Sequence, residues 1–79
     1  MENLDEKAFL IAFGKNLRRL RKEKGFTQEE LANEADIEIS QISRIERGII
    51  STSVYNVYSI LNILEINPSD LFNANLQIE

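Results

Sequence analysis

Apolar residues recur along the chain at helical intervals and are interrupted by short polar punctuation. Phe9, Phe13, Leu17 and Leu20 form the first stripe, one face of a 3.6-residue period. They predict a helix from about Asp5 to about Lys24. Asp5 and Glu6 suit its positive N-terminal end, and Leu10 and Ile11 widen its apolar surface. Gly25 ends it and Phe26 seats the chain on the core. Thr27 with Glu30 three residues on spells a capping box. It opens a second helix, about Gln28 to Ala35, with Leu31, Ala32 and Ala35 on one face. Asp36 marks a turn and Ile37 stays apolar. A third helix runs from about Ile39 to Arg47, with Ile42 and Ile45 inward and Gly48 as its closing residue. The fourth, about Ser53 to Leu64, is expected to bury Val54, Val57, Ile60, Leu61 and Leu64, with Tyr55, Tyr58 and Ile63 off that stripe. Asn67 and Pro68 make an N-cap and first-turn pair for a short fifth helix through Phe72, docked by Leu71 and Phe72. Met1 to Leu4 read as frayed. The tail from Asn73 to Glu79 has few signals; Leu76 and Ile78 either extend an interface or stay disordered. The pattern is therefore all-α, with five helices.

The second and third helices carry the informative spacing. Ala32 is small where two helices must cross closely, and Ile37, Ile42 and Ile45 close on Leu31 and Ala35 as one shared core. The outer face of the third helix is then polar: Ser40, Gln41, Ser43, Arg44 and Arg47 point away. A short, rigidly presented helix with outward hydrogen-bonding residues is what the DNA major groove admits. Two helices and a turn also occur in proteins that touch no DNA.

Composition narrows the choice. At 79 residues the chain is one small domain with a thin core, which gains from a partner that buries more apolar surface. It has no cysteine and no histidine. Disulfides and thiolate metal sites are excluded, and the commonest general base and metal ligand are missing; neither an enzyme nor a cofactor or metal site is expected. No apolar run reaches membrane-spanning length and no signal peptide is visible, so the expectation is an intracellular protein, cytoplasmic in a bacterium. The formal net charge is −4, which counts against a nonspecific nucleic-acid binder. The distribution matters more. Lys15, Arg18, Arg19, Arg21, Lys22 and Lys24 cluster on the first helix, Arg44 and Arg47 sit on the third, and no lysine or arginine follows Arg47. The basic cluster has two readings, a solvated helix face or phosphate contacts that position without reading sequence.

TQEELA followed by ISQISRIERG resembles the helix-turn-helix of the phage repressor and Cro family. Upstream, LRRLRKEKG is similar to the end of that family's first helix; downstream, the pattern from Val54 to Phe72, ending INPSDLF, is similar to its last two helices. The resemblance covers residues 9 to 72 and makes residues 1 to 8 an extension of the first helix and 73 to 79 a tail. It implies a five-helix repressor/Cro-like fold and sequence-specific binding to double-stranded DNA.

The resemblance also assigns roles. Arg21 pairs with Glu46 of the I-E-R-G segment as a structural salt bridge. Thr27 and Gln28, at the start of the second helix, meet phosphate, and Gln28 braces the third helix. Ile39, Ser40, Gln41, Ser43, Arg44 and Arg47 are the DNA-facing residues of the third. Ile39 either contacts a thymine methyl or packs; Gln41 suits adenine; Arg44 forks onto guanine or binds phosphate; Arg47 meets phosphate or solvent. Two positions depart from the family. Asp36 stands where glycine is usual, and Glu38 stands at the N-cap of the third helix, where serine or threonine is common. Dimers in the family form through the last two helices, which nominates Tyr58, Asn62, Ile63, Ile66, Leu71 and Phe72 as interface; ordinary core packing is the alternative for Ile66, Leu71 and Phe72. No small-molecule ligand is expected. Size and plan are closest to the controller proteins of restriction–modification systems. An autoregulatory antitoxin, a phage-type repressor, or a protein-interaction module with the same fold are the alternatives.

Overall fold

The computed structural model describes residues 5–72. They form five helices and no strand: α1 (Glu6–Glu23), α2 (Gln28–Ala35), α3 (Ile39–Glu46), α4 (Val54–Leu64) and α5 (Pro68–Phe72). The expectations placed on Met1 to Leu4 and on Asn73 to Glu79, including Leu76 and Ile78, lie outside the described residues.

The helix starts follow from side-chain capping. The Asp5 carboxylate accepts the Ala8 N–H at 2.8 Å. Thr27 accepts from the Glu30 N–H at 3.0 Å while Glu30 accepts from the Thr27 N–H at 2.9 Å, a complete capping box. Ser53 accepts from Asn56 at 3.0 Å. At α5 the Asp70 carboxylate accepts the Asn67 N–H at 3.0 Å. Helix α3 is the exception: Glu38 occupies its N-cap with no side-chain cap bond.

The ends share one device. After α1, the Phe26 N–H reaches Arg21 O and the Gly25 N–H reaches Lys22 O; the same crossed pair closes α2 at Ile37 and Asp36, α3 at Ile49 and Gly48, and α4 at Ile66 and Glu65. This is the Schellman arrangement, which needs one left-handed residue. Gly25 and Gly48 supply it freely; Asp36 (φ 57°) and Glu65 (φ 56°) adopt it with a Cβ.

The core is built from all five helices: Phe13, Leu17 and Leu20 of α1, Leu31, Ala32 and Ala35 of α2, Ile42 and Ile45 of α3, Ile60 and Leu64 of α4, and Leu71 of α5, with Ile37 from the turn. Two features of α1 set where the others lie. Gly14 faces α3 so closely that a Cβ there would collide with the carbonyl oxygens of Ile45 and Glu46. Asn16, fully buried, donates to the carbonyl oxygens of Asp70 and Leu71 at 2.8 and 2.6 Å. It thereby satisfies carbonyls of a five-residue helix that cannot satisfy them internally. Phe9 stacks on Phe13 and on Phe72, and the Phe13 and Phe72 rings meet at a tilt, with centroids 5.3 to 6.4 Å apart, fastening α5 to the first half of α1.

Packing corrects three expectations. Val54 is 85% exposed rather than buried: as the first residue of α4 it stands at the rim of an open groove whose inner wall is taken by Val57 and Leu61. Ile63, set apart from the buried stripe, is half-buried against the core. Leu71, nominated for a dimer interface, is completely buried; it seats the short α5 in the domain's own core, so Leu71 presents nothing to a partner.

Candidate nucleic-acid interface

Helices α2 and α3 are held by a buried polar node. Arg21 and Glu46 are each 6% exposed. The Arg21 guanidinium donates from Nε to Glu46 Oε2 at 2.6 Å and from Nη2 to Oε1 at 3.1 Å, and from Nη1 to the Phe26 carbonyl at 2.7 Å. Gln28 Nε2 donates to Glu46 Oε1 at 3.0 Å. One carboxylate near the end of α3 thus gathers α1 and the first residue of α2, and Arg21 ties in the turn between them through the Phe26 carbonyl. Desolvating two charges is costly, and only this degree of hydrogen bonding offsets it.

The node fixes which face of α3 looks outward. Ile42, Ile45 and Glu46 are buried; Ser40, Gln41, Arg44 and Arg47 are exposed, Ser43 is half-buried, and Ile39 is 47% exposed. No hydrogen bond or ion pair to the other described residues occupies the Arg44 guanidinium. Arg47 donates from Nε to the Ser43 carbonyl at 3.4 Å, a long contact that leaves the guanidinium exposed. Thr27 is exposed at the start of α2 and its hydroxyl is already used as a cap; what it offers outward is the end of the helix itself. Gln28 is half-buried. Its amide has two N–H donors and Glu46 takes one.

The residues nominated for DNA contact therefore share one surface made by the start of α2 and the outer face of α3. Of those nominated for an interface, Tyr58 and Asn62 are exposed, and Ile63, Ile66 and Phe72 are half-buried. On α1, Lys15, Arg18 and Lys22 are exposed, while Arg19 is engaged with Glu23 at 2.9 Å. Residues that periodicity alone did not single out are Gly14 and Asn16. Asn16 falls on the apolar stripe, three positions after Phe13, and a polar residue on a buried stripe is the signal that points to it.

This arrangement, two helices joined by a tight left-handed turn and braced so that one polar face is presented, defines a DNA-binding module. Residues 14–76 match the model of the helix-turn-helix domain family, and the chain belongs to it. It is a DNA-binding transcription regulator, of a family that consists of regulators rather than enzymes. Among its relatives, the control protein C.BamHI of Bacillus amyloliquefaciens is 38% identical over 64 residues, covering 80% of this chain and 79% of the relative. The control protein C.MunI of a Mycoplasma species is 39% identical over 64 residues, covering 80% and 86%. The crystal structure of the restriction–modification controller protein C.AhdI from Aeromonas hydrophila superimposes with a TM-score of 0.76 at 38% identity, covering 80% of this chain and 96% of that one. Among the described residues no helix is long and apolar enough to cross a membrane.

Proposed function

We propose that this chain is a cytoplasmic, homodimeric operator-binding regulator of the restriction–modification controller kind. The observation that carries the reading is the outer face of α3, whose Gln41, Ser43, Arg44 and Arg47 are presented by a buried Arg21–Glu46–Gln28 node, together with relatives that are themselves control proteins. Two copies of α3 enter successive major grooves, about 34–36 Å apart, on a near-palindromic site. Arg44 forks onto guanine and Gln41 pairs with adenine. The second Gln28 N–H, the start of α2 at Thr27, and Arg47 take phosphates. The two subunits meet through α4 and α5, with Tyr58, Asn62, Ile63, Ile66 and Phe72 contributing. With the basic residues confined to α1 and α3 in an otherwise acidic chain, binding depends on a specific site more than on general charge.

The test is a gel-shift titration with the DNA immediately upstream of the gene, at fixed moderate salt with excess competitor. A discrete shift that survives competitor is expected, with stepwise shifts where two operators lie in tandem. Loss of every shift to competitor would show binding by charge alone and defeat the reading.

A further inference from the structure

The start of α3 breaks two local rules at neighbouring positions. Glu38 stands at the N-cap, yet its side chain caps nothing. Its exposed carboxylate makes no hydrogen bond or ion pair with another described residue. Ile39 follows as the first residue of the helix, and its apolar side chain is 47% exposed. The other four helix starts each hold a side-chain hydrogen bond. A chain that keeps its local rules elsewhere and gives them up on one braced element marks that place as functional. Both residues lie beside Ser40 and Gln41, on the surface proposed to face DNA.

We propose that Glu38 and Ile39 read two neighbouring pyrimidines in the major groove, Glu38 a cytosine through its amino group and Ile39 a thymine through its methyl group. This rests on the operator-binding reading above and adds to it Glu38, which has no contact assigned there. Phosphate is a poor partner for this corner, because Glu29 and Asp36 border the same open hollow as Glu38 and Ile39, and like charges repel. What the carboxylate can meet in the groove is a donor. Only cytosine and adenine present an amino group there, and adenine sets an N7 acceptor beside it, which opposes the second carboxylate oxygen; cytosine has no such acceptor. For Ile39 the thymine methyl is the one apolar group that a base projects into the groove. Consecutive residues are about 3.8 Å apart and consecutive bases of a strand about 3.4 Å, so the two readings fall on adjoining bases. Arg44 lies six positions after Glu38, about 9 Å along the helix. The cytosine is therefore placed within about three base pairs of the guanine that Arg44 takes.

The test uses the full chain. Binding-site selection first gives the half-site. Duplexes of that site are then made with single thymines replaced by uracil, which lacks only the methyl, and single cytosines replaced by N4-methylcytosine, which still pairs with guanine but covers the amino hydrogen that faces the groove. Affinities are measured by fluorescence anisotropy for the unaltered protein, Glu38→Ala and Ile39→Ala. Both positions are exposed and no cap bond is lost, so helicity and melting are expected to hold in both variants. For the unaltered protein, uracil at one thymine is expected to weaken binding about fourfold, the worth of one buried methyl. N4-methylcytosine at the adjoining cytosine is expected to weaken it about tenfold, as the loss of a hydrogen bond to a charged group does. The uracil effect is expected to vanish in Ile39→Ala and persist in Glu38→Ala, and the N4-methylcytosine effect to do the reverse. A selected site in which no such replacement matters overturns the inference, as do replacement effects that survive in the matching variant. Glu38→Ala that strengthens operator and unrelated DNA alike also overturns it, since the glutamate then only repels phosphates. Selection that yields no common site defeats the operator reading itself, and this inference with it.

Discussion

Arg21 and Glu46, 25 positions apart in the chain, form a two-point ion pair with Nε–Oε2 at 2.6 Å and Nη2–Oε1 at 3.1 Å, both side chains nearly sealed from solvent. The pair joins α1 to the last turn of α3, and the Gln28 amide joins α2 to the same carboxylate. The presentation of the outer face of α3 therefore depends on residues that are not on that face. Glu46→Ala strands the guanidinium and is expected to cost about 3–5 kcal/mol. Replacing both partners together, Arg21→Met with Glu46→Leu, is expected to cost far less in stability, because no charge is left buried without a partner. It still removes the brace that Gln28 uses. Urea unfolding of the three proteins, set beside their operator affinities, separates the two effects: the double variant recovers stability but not full binding.

Gly14 is where α1 and α3 come closest. A methyl group there meets the backbone oxygens of Ile45 and Glu46, which cannot swing aside as a side chain tip would. Gly14→Ala raises helix propensity by up to about 1 kcal/mol, yet the overpacking it forces costs about 1–3 kcal/mol. Net destabilisation is expected in thermal melts, with weaker operator binding because α3 is the element displaced. A stabilised protein would show that the helices part at no cost.

The helices themselves were legible because capping residues and apolar period agree at almost every boundary. Thr27 with Glu30, Ser53, Gly25 and Gly48 mark ends by chemistry that acts within four residues, and a sequence displays such chemistry directly. The outward face of α3 was legible for the same reason, since Ile42 and Ile45 fix its rotation. What escaped depends on neighbours distant in the chain. Val54 has the spacing of a core residue but, as the first residue of α4, is left 85% exposed. Leu71 has the look of an interface residue but is needed to seat α5. Asn16 reads as an interruption of a stripe until Asp70 and Leu71 are seen to need its donors. An open groove between α1 and α4 takes Phe9 and Leu10, from the start of α1, as part of its wall.

Glu65 ends α4 in the left-handed conformation, as Asp36 ends α2. The left-handed region costs a residue with a Cβ about 1–2 kcal/mol, against roughly 0.5–1 kcal/mol for the extra chain entropy that glycine loses on folding. Glu65→Gly is therefore expected to raise stability by about 0.5–1 kcal/mol, seen as a higher urea midpoint. Glu65 lies away from α3, so operator affinity at saturating dimer concentration is expected to stay unchanged. Asp36→Gly gains a similar amount of stability, but it also removes a carboxylate from the turn that leads into α3.

Arg44 and Arg47 are both exposed cations on the surface proposed to face DNA, and they are expected to fail differently. In the proposed docking, Arg44→Ala removes a base contact worth about 1–3 kcal/mol of discrimination at one position. Binding-site selection with this variant is expected to lose its preference for guanine there while keeping the rest of the site. In the same docking, Arg47→Ala removes a phosphate contact, so affinity is expected to fall by a similar factor on all sequences and the salt dependence to shrink by about one ion. The reverse outcome, relaxed selection from Arg47→Ala and uniform loss from Arg44→Ala, would exchange their roles.

Glu38 combines two defects at one position. It leaves the start of α3 without a side-chain cap, and in the proposed docking it brings a carboxylate towards the phosphates. Serine there caps the helix, which is worth about 1 kcal/mol, and removes the charge. Glu38→Ser is therefore expected to raise the melting temperature and to strengthen binding to unrelated DNA, most of all at low salt where phosphate repulsion is least screened. Operator binding decides what the glutamate is for. A carboxylate at this point accepts from the amino group of cytosine and from no group that thymine presents. If affinity for the operator rises together with affinity for unrelated DNA, Glu38 acts only as a brake on binding. If the operator alone loses affinity, and selection with the variant no longer demands a cytosine, the same side chain is reading sequence, and the missing cap is the structural cost of that reading.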